Sequence, residues 1–95
     1  MEYKLPILYS KANASQRREV REQYYHAQDG LCYWCAAPLA GDPHTSIQEI
    51  SLNLKLFPPG FLKNPVHLQH NHDSDLTEGA VHAKCNGVMW QYYGR

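Results

Sequence analysis

Three cysteines and one histidine constrain this chain more than any other feature. Cys32 and Cys35 form a CxxC pair in the stretch CYWC, and His82 and Cys85 form an HxxC pair in VHAKCN. Three thiols cannot close a disulfide framework within one chain. A CxxC pair reads either as half of a zinc site or as a thioredoxin-like redox pair. The redox form needs a strand before the pair and a helix after it. Here a helical pattern precedes CYWC, and Pro38 and Gly41 follow it. CxxC with HxxC supplies three thiolates and one imidazole, a set that closes tetrahedrally around Zn²⁺. Cys32, Cys35, His82 and Cys85 are therefore expected to hold a structural zinc. The 46 residues between the two halves, 36–81, would make that ion a crosslink between distant parts of the chain. In 95 residues the core is small, so such a crosslink bears on whether the chain folds at all.

Nine basic residues balance nine acidic ones. That excludes a protein that holds nucleic acid by bulk positive charge, and leaves room for a small site built around a metal ion. No apolar run reaches the roughly 18 residues that a membrane span needs. The opening MEYKLPILYS lacks the basic-then-apolar pattern of an export signal, so a cytoplasmic protein is expected.

Along the chain, residues 1–14 read as an extended arm or short strand, and 15–95 as one domain. Ser15 is a candidate cap for a helix running to about Gln28, with Gly30 as its stop. Val20, Tyr24, Ala27 and Leu31 give its apolar face. Its other face carries Arg17, Arg18 and Arg21 beside Glu19 and Glu22, which fits either a solvated face with local ion pairs or contact with phosphate. Ile50, Leu52, Leu54 and Leu56 alternate with polar residues as a strand does, with a short helix over 45–54 as the alternative. FPPGF at 57–61 forces a turn. Residues 66–72, VHLQHNH, read as a strand, 73–79 as a loop, 79–82 as a second strand, and the chain from Ala83 as a helix. The expected fold is a small α+β domain: a helix, a zinc knuckle and a ββα unit over about 66–93. Tyr33, Trp34, Trp90, Tyr92 and Tyr93 are expected to join Val20 and Leu31 in the core rather than stack on bases.

Four histidines, His67, His70, His72 and His82, fall within 16 positions. Strand alternation would put His70 and His72 on one face, and Gln69 and Asn71 on the other.

The succession CYWC, then HLQHNH, then EGAVHAKCN resembles small phage HNH endonucleases, and is most similar to those related to recombination endonuclease VII. The likeness also takes in LFPPGFLKNPVH at 56–67 and WQYYG at 90–94, and so covers roughly residues 15–95. It implies hydrolysis of DNA phosphodiesters by one divalent cation, Mg²⁺ or Mn²⁺, on the ββα unit. His70 matches the family's general base, a role that suits a side chain able to be neutral near working pH. His72 matches a second histidine that supports the site or contacts phosphate. Asn86 matches a metal ligand on the helix, and Gln69 stands where the family usually has a metal-binding Asp or His. The zinc set would hold that helix against the strand. DNA is the implied partner, with no membrane, in a monomer or homodimer acting in the cytoplasm of a bacterial host. Gln69 departs from the pattern, because a neutral amide binds Mg²⁺ more weakly than a carboxylate does. Asn71 departs likewise, so the site has no carboxylate unless Asp73 or Asp75 folds into it. Two functions are therefore expected: a metal-dependent DNA endonuclease or nickase, or a weakened module of the same fold that binds DNA or a protein without cleaving.

Overall fold

A capping box sets where the first helix starts. The Asn13 side chain accepts from Gln16 N at 2.9 Å, and the Gln16 side chain accepts from Asn13 N at 2.9 Å, so two of the helix's orphan N–H groups are satisfied together. Helix α1 therefore spans Ala14–Ala27, and Ser15 lies inside it rather than capping it. Gly30 follows at φ +72°, the left-handed conformation expected of the residue that stops a helix. A computed structural model describes residues 2–94.

After α1 come a short helix α2 (Thr45–Gln48), strand β1 (Val66–His70), strand β2 (Thr77–His82) and helix α3 (Ala83–Tyr93). The strands form one antiparallel pair, with Val66 opposite His82. The order strand, strand, helix follows the expected ββα pattern. β2 starts two residues earlier than the sequence suggests. The register slips between Gln69 and His70, so that Gln69 faces Gly79 while His70 faces Thr77, which leaves Glu78 as a bulge.

The alternation at 50–56 does not make a strand. Among the described residues this stretch holds only a 3-10 turn at Leu54–Leu56. Leu52 instead packs on α3, where its Cδ1 occupies the space that a Cβ on Gly87 would need, 2.7 Å away. Leu54 and Leu56 face solvent. The apolar period therefore arises from a turning chain in which only Ile50 and Leu52 pack on the core.

The core gathers Leu39, Ile47, Ala80, Val81, Val88 and Met89 together with Cys32 and Cys85, and Val20 is fully buried on α1. Of the aromatic residues expected there, Trp34 is half-buried and packs against this cluster, whereas Tyr33, Trp90, Tyr92 and Tyr93 are exposed, as is Leu31. The centre is filled by small and aliphatic side chains, because two of its positions belong to thiols that share one point in space.

α1 is held to the sheet by polar contacts as well as packing. The Gln28 amide takes Ala80 N at 2.8 Å and donates to Ala80 O at 2.9 Å, acting as a short substitute strand beside β2. Tyr24 Oη meets Thr77 Oγ1 at 2.9 Å. Residues 7–9 of the arm dock along the start of β2: Thr77 N donates to Ile7 O at 2.9 Å, and Tyr9 N donates to Asp75 O at 2.8 Å. No helix is long and apolar enough to cross a membrane among the described residues.

Candidate metal centre and histidine cavity

The knuckle after α1 and the junction of β2 with α3 bring four side chains to one point. The ligand atoms of Cys32, Cys35, His82 and Cys85 all lie within 4.8 Å of one another. Their setting suits a cation. The backbone N–H groups of Trp34 and Cys35 point at Cys32 Sγ, at 3.4 and 3.5 Å, and His44 N points at Cys35 Sγ at 3.5 Å. His82 Nδ1 faces the thiols, 3.5 Å from Cys35 Sγ and 3.6 Å from Cys85 Sγ. Its other nitrogen, Nε2, donates to Pro38 O at 2.9 Å. That bond places the ring proton on Nε2 and leaves the Nδ1 lone pair for a metal, the outer contact that metal-binding histidines commonly make.

The thiols also report the field at this point. A hydrogen bond from Cys85 and the nearby backbone N–H groups hold the Cys32 thiol below its ordinary value. The neighbouring Cys32 thiolate and burial push the Cys85 thiol far up. Three thiolates in so small a volume repel each other until a cation offsets their charge. The four residues chosen from spacing are thus a set that can hold a metal, and its tetrahedral Cys₃His chemistry is that of a closed structural site.

A second feature lies beside β1. A cavity of about 610 Å³ is lined by α1, β1, α3 and the turn around Phe57. Of the residues singled out in the sequence, Arg17, Arg21, Gln69, His70, His72 and Asn86 all line it. Arg18 does not; it is exposed on α1. All five residues of β1 line the cavity, and His70 and His72 lie together as strand alternation expects.

Local contacts fix each of these side chains. The His70 ring stacks on Tyr9, centroids 3.9 Å apart and planes at 6°, and sits 4.6 Å from the His72 ring. Burial, with His72 and Arg17 nearby, lowers the His70 pKa, while Asp75 and Glu78 work in the opposite sense. The Arg17 guanidinium lies 3.9 Å from the Tyr9 ring centroid and donates twice to Tyr9 O, at 3.0 and 3.2 Å. Asn86 Nδ2 meets His67 Nδ1 at 3.1 Å, which turns the amide nitrogen toward β1 and leaves its carbonyl oxygen outside that bond. The His67 pKa is lowered mainly by burial.

Gln69 is buried, at 2% exposure. Its amide nitrogen donates to His70 O at 2.9 Å and to Glu78 Oε1 at 3.4 Å. Glu78 is thus the carboxylate nearest to this amide, through a bulge that the sequence did not announce. Neither Asp73 nor Asp75 lines the cavity: the Asp75 carboxylate accepts from Ser10 Oγ at 2.6 Å, and the Asp73 backbone N–H donates to Asn71 Oδ1 at 2.8 Å. The Asn71 oxygen is occupied in holding that turn. Tyr9 and His67 are site residues that sequence reasoning gave no role. Tyr9 carried no signal, since its docking is long-range, whereas His67 belonged to the visible histidine cluster. Among the described residues, the Cys₃His set is the one group of three or more His, Cys, Asp or Glu ligand atoms that gathers closely enough to hold an ion.

Comparison of the chain with protein-family models, curated proteins and solved structures gives no match.

Proposed function

We propose that the chain is a zinc-stabilised, metal-dependent DNA endonuclease or nickase. The observation that carries this reading is the cavity itself. It brings a histidine of lowered pKa, a second histidine, two amide side chains and two arginines around one hollow, from three separate stretches of chain. That collection suits phosphodiester hydrolysis. His70, kept neutral by burial and oriented by Tyr9, accepts the proton of the attacking water. Arg17, itself anchored on Tyr9 O, and Arg21 attract the phosphate and hold it at the cavity. His72 extends that polar edge. Gln69 and Asn86, through amide oxygens, would hold a divalent cation, which supplies charge for the phosphate and the leaving oxygen. Imidazole and amide donors without a carboxylate favour Mn²⁺ or a later transition ion over Mg²⁺. The Cys₃His set would bind zinc and tie Asn86 on α3 to the sheet. Action on DNA in a cytoplasm, by a monomer or a homodimer, belongs to the same proposal.

One observation favours a second reading, a module that binds DNA or a protein without cutting. Among the described residues no carboxylate lines the cavity, and the Gln69 amide is held by the His70 carbonyl and Glu78. A supercoiled-plasmid nicking assay on zinc-loaded protein separates the two. Mg²⁺, Mn²⁺, Co²⁺ and Ni²⁺ are added in turn, with Gln69→His alongside. The nuclease reading expects nicking by the wild type, faster with Mn²⁺ than with Mg²⁺. Cleavage by Gln69→His alone would establish the binding module, and silence in every lane would remove the nuclease reading and leave a domain that only binds.

A further inference from the structure

The nuclease reading uses the polar side of the cavity and leaves its apolar side without a role. Phe57 and Phe61 pack with ring centroids 4.5 Å apart, Phe57 meets Trp90 at 5.3 Å, and Phe61 meets His67 at 4.9 Å. These rings form a continuous aromatic path from solvent to His67, the residue that holds Asn86. All four line the cavity that also contains Arg17 and Arg21. Beyond its contact with Phe57, Trp90 remains 43% exposed, a large apolar surface left to solvent.

We propose that the Phe57–Phe61–Trp90 face is a subsite for an unpaired nucleobase of the strand whose phosphate lies against the two arginines. This rests on the nuclease reading and narrows its substrate. Charge complementarity selects the occupant. One cavity offers cations from α1 and π-faces from the turn and α3, and a nucleotide carries a phosphate and a flat base within reach of each other. A volume of about 610 Å³ lies in the range of pockets that take one small ligand, and is not a broad groove for a double helix. In a duplex both faces of a base are covered by its neighbours. Only a base in a single strand, a gap, a flap or a branch exposes a face to a side chain, and every base has such a face, so the subsite reads unpairedness rather than sequence. Net charge of zero fits this, because stacking provides affinity that bulk charge does not.

The test is binding of fluorescein-labelled oligonucleotides, read by anisotropy, to zinc-loaded protein with no other divalent ion added. The probes are a short DNA single strand, the same strand as RNA, the blunt DNA duplex, and the DNA strand with abasic sites. Each is titrated with wild type, Phe57→Leu and Trp90→Leu. Trp90→Leu alters an exposed position and keeps the question open to decision even where Phe57→Leu fails to fold. The expected result is tighter binding of the intact single strand than of the duplex or the abasic strand. Trp90→Leu should weaken it about 5- to 150-fold, the usual range for losing one stacked base, with little change for duplex. The sugar preferred among the single strands names the source of the nucleotide. Duplex binding as tight as single-strand binding, indifference to Trp90→Leu, or no binding of any probe would overturn the proposal. None of these outcomes depends on cleavage, so the nicking assay still decides the nuclease reading by itself.

Discussion

Gly79 shows how closely the site is supported from behind. A Cβ built there would lie 2.8 Å from Gln28 Oε1 and from Tyr33 Cγ, and 2.9 Å from Tyr33 Cβ. The missing side chain lets the Gln28 amide reach Ala80 and lets Tyr33 N donate to Ala80 O at 2.9 Å. Gly79 also pairs with Gln69, so the close fit at Gly79 bears on the strand pairing that positions this cavity residue. Gly79→Ala is expected to destabilise the protein by about 1–3 kcal/mol, as overpacking of a close contact does, measured by thermal or urea unfolding. An unchanged midpoint would mean that Gln28 and Tyr33 move aside freely.

At the scale of elements, the arm matters most. Its docking places Tyr9 under His70 and beside Arg17, and the Asp75 carboxylate secures it by accepting from Ser10 Oγ and Ser10 N. The Ser10 hydroxyl, first among its causes, holds the Asp75 carboxyl below the ordinary value of 3.8. A carboxyl depressed in the folded state stabilises that state above its unfolded pKa, and the effect is lost as pH falls through the folded value. Asp75→Asn should therefore melt below wild type at neutral pH. The difference should close as pH drops below about 3.8, in paired melts across pH. A gap that stays constant with pH would place the effect in the turn's geometry instead. This arm also marks the limit of what sequence shows. Nothing local to Tyr9 foretells a contact with residues more than 60 positions away, and the bulge at Glu78 follows from that pairing rather than from composition. The metal set, by contrast, was fully visible, because ligand chemistry restricts the residue types and HxxC and CxxC use every cysteine. Helix α3 and both strands were legible from period, with ends shifted by the bulge. The stretch 50–56 misled because only Ile50 and Leu52 pack on the core, Leu52 against the bare surface of Gly87, while Leu54 and Leu56 face solvent. The aromatic residues misled because burial follows available space, and here thiols occupy the centre.

For the whole molecule, the core and the metal set are one object. Cys32 and Cys85 belong to the buried cluster, and the four ligands join the knuckle to the junction of β2 and α3. Without a bound cation two distant stretches lose their link. Binding and folding are then coupled. One zinc per chain is expected by elemental analysis. Cys85→Ser should lose both that zinc and the cooperative unfolding transition, since aliphatic burial in a chain this small is a marginal driving force. Retention of a sharp transition in metal-free protein would show that the apolar core suffices.

The proposed role of His70 in hydrolysis is tested by the nicking rate of His70→Ala against wild type, both at full zinc content and equal melting temperature. The expected loss is about 100-fold or more with Mn²⁺, the scale on which a general base acts. An equal rate in the two proteins would contradict it, and would leave the cavity as a place where something is bound rather than cut.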